Sequence, residues 1–332
     1  MSTVLQFDDK AALSAEVGKH VLAAAQEAVA SHGKPYSLTR NASCEQSRWS
    51  ASCEQPSCPC SVRHSPCLSN FSQRPFPQSA PTSEPSPSCT LLPNRSAPPS
   101  VPSNALRPLL PKGKFVIALS GGSLPKLLAQ GLLEYSSQID WSTWHVFFAD
   151  ERYVAAGHAD SNLAACQEAF LSDPRVAIPS DQVYGLDHSL PLPESAAAYQ
   201  ANLVRVARAA DAAPGAAPRF DLVMLGMGPD GHTCSLFPGH ALLGETAAWV
   251  APISDSPKPP PERITLTYPV LNAAGRVFFL ATGGSKADVL PKVTCSAADL
   301  LAQGEAALPA GRVRPASGKL VWFVDTDAAA KL

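Results

Sequence analysis

The sequence predicts an α/β fold, a single domain in which a mostly parallel sheet is flanked by helices. Two observations carry this prediction. Short apolar runs such as 115–119 and 144–148 are continuous rather than alternating, as in strands that are buried on both faces of a sheet. Segments with helical spacing of apolar residues separate these runs. Alternating strands and helices are typical of a parallel sheet covered on both faces.

The predicted elements begin with a short strand at residues 4–7 and a helix from Lys10 to about His32. Apolar residues of this helix recur at helical spacing, and Gly33 follows its last turn. No second apolar core is predicted. The later elements are, in order, a strand at 115–119, a helix at 124–133, a strand at 144–148, a helix at 161–171 capped by Asp160 or Ser161, a helix at 195–209, strands at 221–225 and 263–267, a helix starting near Pro269, and strands at 277–281 and 320–324.

A segment of different composition interrupts this alternation between residues 35 and 112. Proline and serine dominate it, and the five-residue sequence that starts at Ala42 is repeated at Ala51. Such a composition cannot bury enough apolar surface to offset the entropy lost on ordering. We therefore predict one domain formed by residues 1–34 and 113–332, which carries a disordered insertion at 35–112.

Composition narrows the expected partners and location. The formal net charge is -2, and no basic cluster suggests nucleic acid or an anionic membrane surface. No apolar run approaches the roughly 20 residues of a membrane helix. The N-terminus lacks a signal-peptide pattern, so we expect a cytoplasmic location and reduced cysteines. We also expect the protein to be a monomer. The tripeptide Ala330-Lys331-Leu332 resembles the Ser-Lys-Leu peroxisomal address, which leaves a peroxisomal location as the alternative.

Three motifs directly follow predicted strands, at the edge where open α/β sheets bind their ligands. The first is Ser120-Gly121-Gly122-Ser123, which lies between a strand and a helix. Glycines let the backbone approach a ligand closely, and free amides at a helix start favour an anion such as phosphate. The same pattern also fits an ordinary turn in which Ser123 only caps the helix.

The second motif is Asp150-Glu151-Arg152, which follows the strand at 144–148. A run of charges at the end of an apolar strand is usually a solvated loop. Here the motif is expected to lie beside the first one, so Arg152 is a candidate for a forked contact with a phosphate.

The third motif spans residues 226–238 and reads Gly-Met-Gly-Pro-Asp-Gly-His-Thr-Cys-Ser-Leu-Phe-Pro. An isolated histidine is more often structural. His232, however, titrates near neutrality, lies in a glycine-rich loop and has Asp230 two residues away, so a general base is favoured. In a fourth segment, 255–263, prolines stiffen a loop that presents Lys258 and Arg263, although on pattern alone a rigid surface linker is favoured.

Together these four segments resemble the 6-phosphogluconolactonase family. The similarity runs from the start to about Lys34 and from Gly113 to the end, and the two long motifs are specific whereas the short ones are not. The resemblance implies hydrolysis of 6-phospho-D-glucono-1,5-lactone, the second step of the oxidative pentose phosphate pathway. It also implies a fold shared with glucosamine-6-phosphate deaminases and ribose-5-phosphate isomerases. The segment at 35–112 resembles nothing in the family.

The expected site follows from the motifs and the resemblance. The resemblance makes His232 the general base, puts Asp150 in the active site and assigns Arg152 and Lys258 to phosphate and sugar. No metal or redox cofactor is expected. The predicted catalytic residues are His232, Asp150 and Asp230, and the predicted substrate- and phosphate-binding residues are Ser120, Gly121, Gly122, Ser123, Arg152, Lys258 and Arg263.

Two alternatives stay open. An amino-sugar-phosphate isomerase or deaminase would share the phosphate loop, but those enzymes typically continue after the histidine with Asn-Glu-Pro, where this chain has residues 233–238 instead. A non-catalytic sugar-phosphate-binding protein is the second alternative. Such a relative is expected to have lost Arg152, His232 or Lys258, and all of them are present.

Overall fold

The computed structural model of this protein describes residues 2–31, 113–207 and 215–332. The predicted insertion at 35–112 lies outside these residues, as do the last positions of the helix predicted at 195–209.

The core of the fold is a six-stranded sheet in which every neighbouring pair is parallel. Its spatial order is β1-β9-β8-β5-β2-β3. This confirms the predicted mostly parallel sheet and most of its strands. The six strands are β1 (Thr3–Phe7), β2 (Phe115–Leu119), β3 (Trp144–Phe148), β5 (Leu222–Gly226), β8 (Val277–Ala281) and β9 (Leu320–Asp325).

Strand β2 shows why continuous apolar runs mark the centre of such a sheet. All five of its residues are buried. Phe115, Ile117 and Leu119 pack in one apolar cluster, and Val116 and Ala118 pack in another. Because side chains alternate across a strand, these two clusters are the two faces of the sheet. Helices must therefore cover both faces.

Six of the seven α-helices of the described residues contribute buried side chains to this cover, and α7 contributes none. Ser161 caps α3, as predicted, by accepting a hydrogen bond from the Ala164 amide. This helix is shorter than predicted, because a π-helical turn at Gln167–Leu171 replaces its second half. No described helix is both long and apolar enough to cross a membrane. The helices are α1 (Lys10–Ser31), α2 (Leu124–Leu132), α3 (Asn162–Cys166), α4 (Leu192–Ala207), α5 (Tyr268–Ala273), α6 (Leu290–Thr294) and α7 (Ala297–Gln303).

A second sheet of three antiparallel strands was not predicted. Its order is β4 (Asp150–Arg152), β7 (Arg263–Leu266) and β6 (Val250–Ile253). Strand β7 was predicted, but not that it lies outside the main sheet. Strand β6 was not predicted. Residues of β4 were predicted only as charges after a strand, because a three-residue strand of charged side chains carries no apolar signal.

The two sheets together define the edge at which the predicted motifs lie. Strands β3, β2, β5 and β8 are neighbours in the main sheet, so their carboxyl ends lie side by side. Strand β4 follows β3 after one residue. Its hydrogen bonds to β7 tie the proline-rich loop before β7 to the same edge.

Candidate active site

A cavity of about 220 Å³ opens at this edge, between the loops that follow β2, β3, β5 and β8. The structure brings eight of the ten predicted site residues to its wall. The other two, Asp230 and Lys258, contact His232 directly. The predicted residues that line the cavity are Ser120, Gly121, Gly122, Ser123, Asp150, Arg152, His232 and Arg263.

The loop after β2 presents free donors to the cavity. The amide groups of Gly121, Gly122 and Ser123 donate to no backbone acceptor of the described chain, and Ser123 makes no side-chain cap. The hydroxyl of Ser120 is buried and likewise has no described partner. The loop leads into α2, whose first amides add positive potential. This arrangement is suited to an anion.

Close packing explains one glycine of this loop. A Cβ atom built on Gly121 would lie 1.8 Å from Oδ1 of Asn162, so no larger residue fits while Asn162 keeps its place. The Asn162 side chain in turn donates to the backbone oxygen of Asp150 at 2.7 Å and to its Oδ1 at 3.3 Å. The Asn162 amide thus contacts strand β4 and lies close against the loop after β2.

The three residues of β4 have different roles. The carboxylate of Asp150 faces the cavity and accepts a hydrogen bond from Ser235 Oγ at 2.8 Å. Glu151 is buried, and it accepts from the amides of Asn162 and Leu163, which start α3. Burial raises the pKa of Glu151, although these amide hydrogen bonds oppose the rise. Glu151 therefore holds α3 in place, and its side chain does not line the cavity.

Arg152 lines the cavity. Its Nη1 donates to the backbone oxygen of Asp160 at 2.6 Å. Its Nε is buried and has no partner among the described residues. One edge of the guanidinium is thus anchored, and a donor remains for a ligand.

The loop after β5 forms a closed turn around His232. The Gly228 amide donates to the His232 carbonyl at 2.9 Å, and the Gly231 amide donates to the Gly228 carbonyl at 3.0 Å. His232 Nδ1 lies 2.5 Å from Asp230 Oδ1. A carboxylate only accepts, so we assign the ring proton to Nδ1, which leaves Nε2 as an acceptor. The Lys258 ammonium, whose Nζ lies 3.0 Å from Nδ1, is also a donor, so it acts on this nitrogen through its charge and not through a hydrogen bond. The ring packs against Phe237, with 4.9 Å between the ring centroids.

The pKa values of His232 and Asp230 are shifted in directions that suit a general base. Burial lowers the pKa of His232, and the nearby Lys258 ammonium lowers it further, although Asp230 opposes both effects. Partial burial opposes ionisation of Asp230, yet hydrogen bonds from His232 and Lys258 hold its pKa well below its ordinary value. At neutral pH the pair is therefore a neutral imidazole beside a carboxylate.

The proline-rich loop before β7 brings Lys258 and Arg263 to the site in different ways. Lys258 Nζ lies 2.9 Å from Asp230 Oδ2, and Lys258 does not line the cavity. Arg263 is buried, and it donates to the backbone oxygens of Lys258, Pro259 and Pro260. Most of its donors therefore hold the loop. The phosphate contacts expected of these two residues stay predictions.

Lys286 lines the cavity and was missed by the sequence analysis. It lies in the loop after β8, which reads Thr282-Gly-Gly-Ser-Lys286. Burial, and then the charge of Lys258, lower the pKa of Lys286. The pattern of two glycines after a buried strand is the one that marked Ser120–Ser123, and it was available at 282–286. Among the described residues, no group of three or more His, Cys, Asp or Glu side chains is arranged to hold a metal ion.

Comparison with known proteins agrees with this geometry. Residues 102–322 match a family model described as glucosamine-6-phosphate isomerases/6-phosphogluconolactonase. The chain is 46% identical to the 6-phosphogluconolactonase of Rattus norvegicus over 67% of this chain and 81% of that protein. It is 47% identical to the 6-phosphogluconolactonase of Homo sapiens over the same shares.

Solved structures show the same relationship. The 6-phosphogluconolactonase of Trypanosoma brucei matches with a TM-score of 0.56 and 30% identity, covering 66% of this chain and 86% of that chain. A monomeric glucosamine-6-phosphate deaminase matches with a TM-score of 0.58 over 99% of this chain and 100% of that chain. At 12% identity the second match shows the shared fold alone.

Proposed function

The chain belongs to the family of glucosamine-6-phosphate isomerases and 6-phosphogluconolactonases, and from that premise we propose that it hydrolyses 6-phospho-D-glucono-1,5-lactone to 6-phospho-D-gluconate. It is an enzyme of lactone hydrolysis, as its curated relatives are. The observation that carries the proposal is the juxtaposition, in one cavity, of the His232–Asp230 pair with the free donors of Ser120–Ser123.

In this proposal the phosphate of the substrate binds at the Ser120–Ser123 loop. Free amides at the start of α2 and the unpartnered Nε of Arg152 offer donors to phosphate oxygens. Lys286 adds a positive charge at the wall of the same cavity. The Lys258 ammonium contacts Asp230 in this structure.

The chemical step is general-base hydrolysis. His232 Nε2 accepts a proton from water while the water oxygen attacks the lactone carbonyl carbon, and Asp230 stabilises the imidazolium that forms. The tetrahedral intermediate then breaks the ring C–O bond, and the imidazolium returns the proton to the departing ring oxygen. Amides of the loop that carries His232 are the candidates for stabilising the intermediate oxyanion.

A comparison of two lactones tests the substrate assignment. Glucono-1,5-lactone has the same reacting group but lacks the phosphate. We expect kcat/KM for this compound to be at least about 100-fold lower than for the phosphorylated lactone, since charge-assisted hydrogen bonds contribute about 1.5–3 kcal/mol each. Equal values for the two substrates would contradict the assignment of the cavity to a sugar phosphate.

The pH dependence of hydrolysis gives a second prediction. The base is neutral His232, and its pKa is lowered from the ordinary value of 6.5. Activity is therefore present above the folded-state pKa and lost as the pH falls through it. We expect the acid limb of kcat/KM to have its midpoint below 6.5, measured by initial rates at constant ionic strength. A midpoint above about 7 would contradict the lowered pKa.

The segment at 35–112 is expected to be dispensable for catalysis. Helix α1 ends at Ser31, and Gly113 packs so tightly on Val29 that a Cβ at Gly113 would lie 2.1 Å from the Val29 oxygen. The two ends are thus close enough to be rejoined by a short turn. They precede β2, whereas the site lies at the carboxyl ends of the strands.

Deleting residues 35–111 tests this expectation. Long surface insertions cost little, at about 0.6 kcal/mol per doubling of a flexible loop, so kcat/KM is expected to stay within about threefold of the full chain. A loss of more than about tenfold in a variant that remains folded would show that the segment reaches the active site, and would contradict the placement.

Location and assembly are also proposals. The C-terminal Ala330, Lys331 and Leu332 are exposed. A fluorescent reporter ending in this tripeptide is expected to be punctate if the address is read, whereas a diffuse signal favours the cytoplasm. We propose a monomer without a nucleic-acid partner, in line with the net charge of -2, and light scattering of the purified chain tests the monomer.

A further inference from the structure

Lys258 directs its ammonium at the catalytic pair and not at the cavity. Its Nζ lies 2.9 Å from Asp230 Oδ2 and 3.0 Å from His232 Nδ1. Lys258 does not line the cavity, whereas Lys286 does. The ammonium therefore acts on the Nδ1 side of the imidazole, away from the nitrogen assigned to the base.

The surrounding loop fixes Lys258 in this position. The carbonyl oxygen of Lys258 accepts from Ser256 Oγ at 2.8 Å and from Arg263 Nη2 at 2.8 Å. Arg263 is itself buried and donates to two further carbonyl oxygens of the loop. Two donors on one carbonyl define the backbone from which the lysine side chain extends, so the contact with Asp230 is part of the folded loop.

The charges around His232 give Lys258 a distinct effect. Asp230 on the same loop and Asp150 on β4 both favour the imidazolium, whereas Lys258 opposes it. An Asp–His pair alone stabilises protonated imidazole, which has no free acceptor at Nε2. A cation within contact distance of Nδ1 offsets that stabilisation and also holds the second oxygen of Asp230.

We propose that Lys258 is a positioning residue for hydrolysis, which holds Asp230 toward Nδ1 of His232 and places a positive charge beside the imidazole. The proposal rests on the proposed lactonase function. It assigns Lys258 no contact with the substrate. Replacing Lys258 is therefore expected to change the pH dependence of kcat/KM and not the affinity for the phosphate group.

Neutral replacement of Lys258 tests this role. Lys258→Met removes the cation that opposes the two carboxylates, so the His232 pKa rises, although burial still lowers it. We expect the acid limb of kcat/KM to move up by about one pH unit, which lowers kcat/KM about tenfold at pH values below both midpoints. At pH 8 the KM for the phosphorylated lactone should change less than about twofold. Lys258→Gln, a second neutral variant, should behave in the same way.

A direct titration provides a readout that does not depend on activity. The His232 imidazole signals, followed by NMR from pH 4.5 to 8.5, should show the same upward shift in both neutral variants. Lys286→Met is the matched control, since it removes a cation from the cavity wall that does not contact His232. We expect this control to raise KM for the phosphorylated lactone and to leave the His232 titration in place.

Two results would overturn the proposal. One is an unchanged His232 titration and acid limb in both neutral variants. The other is a raised KM for the phosphorylated lactone, with unphosphorylated glucono-1,5-lactone unaffected, which would make Lys258 a phosphate ligand. A wild-type chain that hydrolyses neither lactone would instead refute the proposed function, and the NMR shift would still decide the effect of Lys258 on His232.

Discussion

Replacing His232 with glutamine is expected to lower kcat/KM for the phosphorylated lactone by about 100- to 10,000-fold, the range that a positioned general base contributes. Glutamine keeps a donor for Asp230 Oδ1 but offers no base at the position of Nε2. The donors of the Ser120–Ser123 loop are unaffected, so binding of 6-phosphogluconate should be retained. Initial rates corrected for spontaneous lactone opening, together with product titration by calorimetry, measure both quantities.

His188→Gln is the matched control for this variant. His188 is exposed, packs near Tyr153 and does not line the cavity. Its replacement should leave kcat/KM unchanged. Wild-type turnover by the His232 variant would show that another group activates the water.

Replacing Gly228 with alanine should have the second large effect. A Cβ atom at Gly228 would lie 2.1 Å from Cε1 and Nδ1 of His232 and 2.4 Å from Oδ1 of Asp230. Atoms cannot approach so closely, so the added methyl must displace the pair or the turn. Misplacement of a catalytic group by about 1 Å can cost about 100-fold, and we expect a loss of kcat/KM of that order.

Gly244→Ala provides the comparison, because a Cβ at Gly244 meets no atom within 4 Å. Its kcat/KM should match that of the wild type. Thermal unfolding of both variants shows whether the chain remains folded. A folded Gly228→Ala protein with undiminished turnover would mean that the His232–Asp230 contact is not needed for hydrolysis.

The main sheet was predictable because its strands are short, continuous and apolar. Strand β2 is buried along its whole length, and its sequence shows this directly. The second sheet was not, because β4 is a strand of three charged residues without an apolar pattern, and it pairs with β7 instead of joining the main sheet. Its three charged residues are ordered by partners such as Ser235 and Asn162, which local patterns do not reveal.

The position of site residues was easier to predict than the direction of their side chains. Strand-end motifs placed Asp150 and His232 at one edge, since parallel strands align their carboxyl ends. The phosphate contact expected of Lys258 stays a prediction, whereas the contact of its ammonium with Asp230 was not predicted. That direction depends on how Arg263 and Ser256 hold the loop, a tertiary effect with no sequence signature.

The most direct test of the account is the reaction of the purified full chain with two sugar phosphates at pH 7.5. Freshly generated 6-phosphogluconolactone should be hydrolysed well above its spontaneous rate, with 6-phosphogluconate as the product. Glucosamine-6-phosphate should release no ammonia under the same conditions. Ammonia release without lactone hydrolysis, or lactone decay no faster than in buffer, would contradict the assignment of this site to lactone hydrolysis.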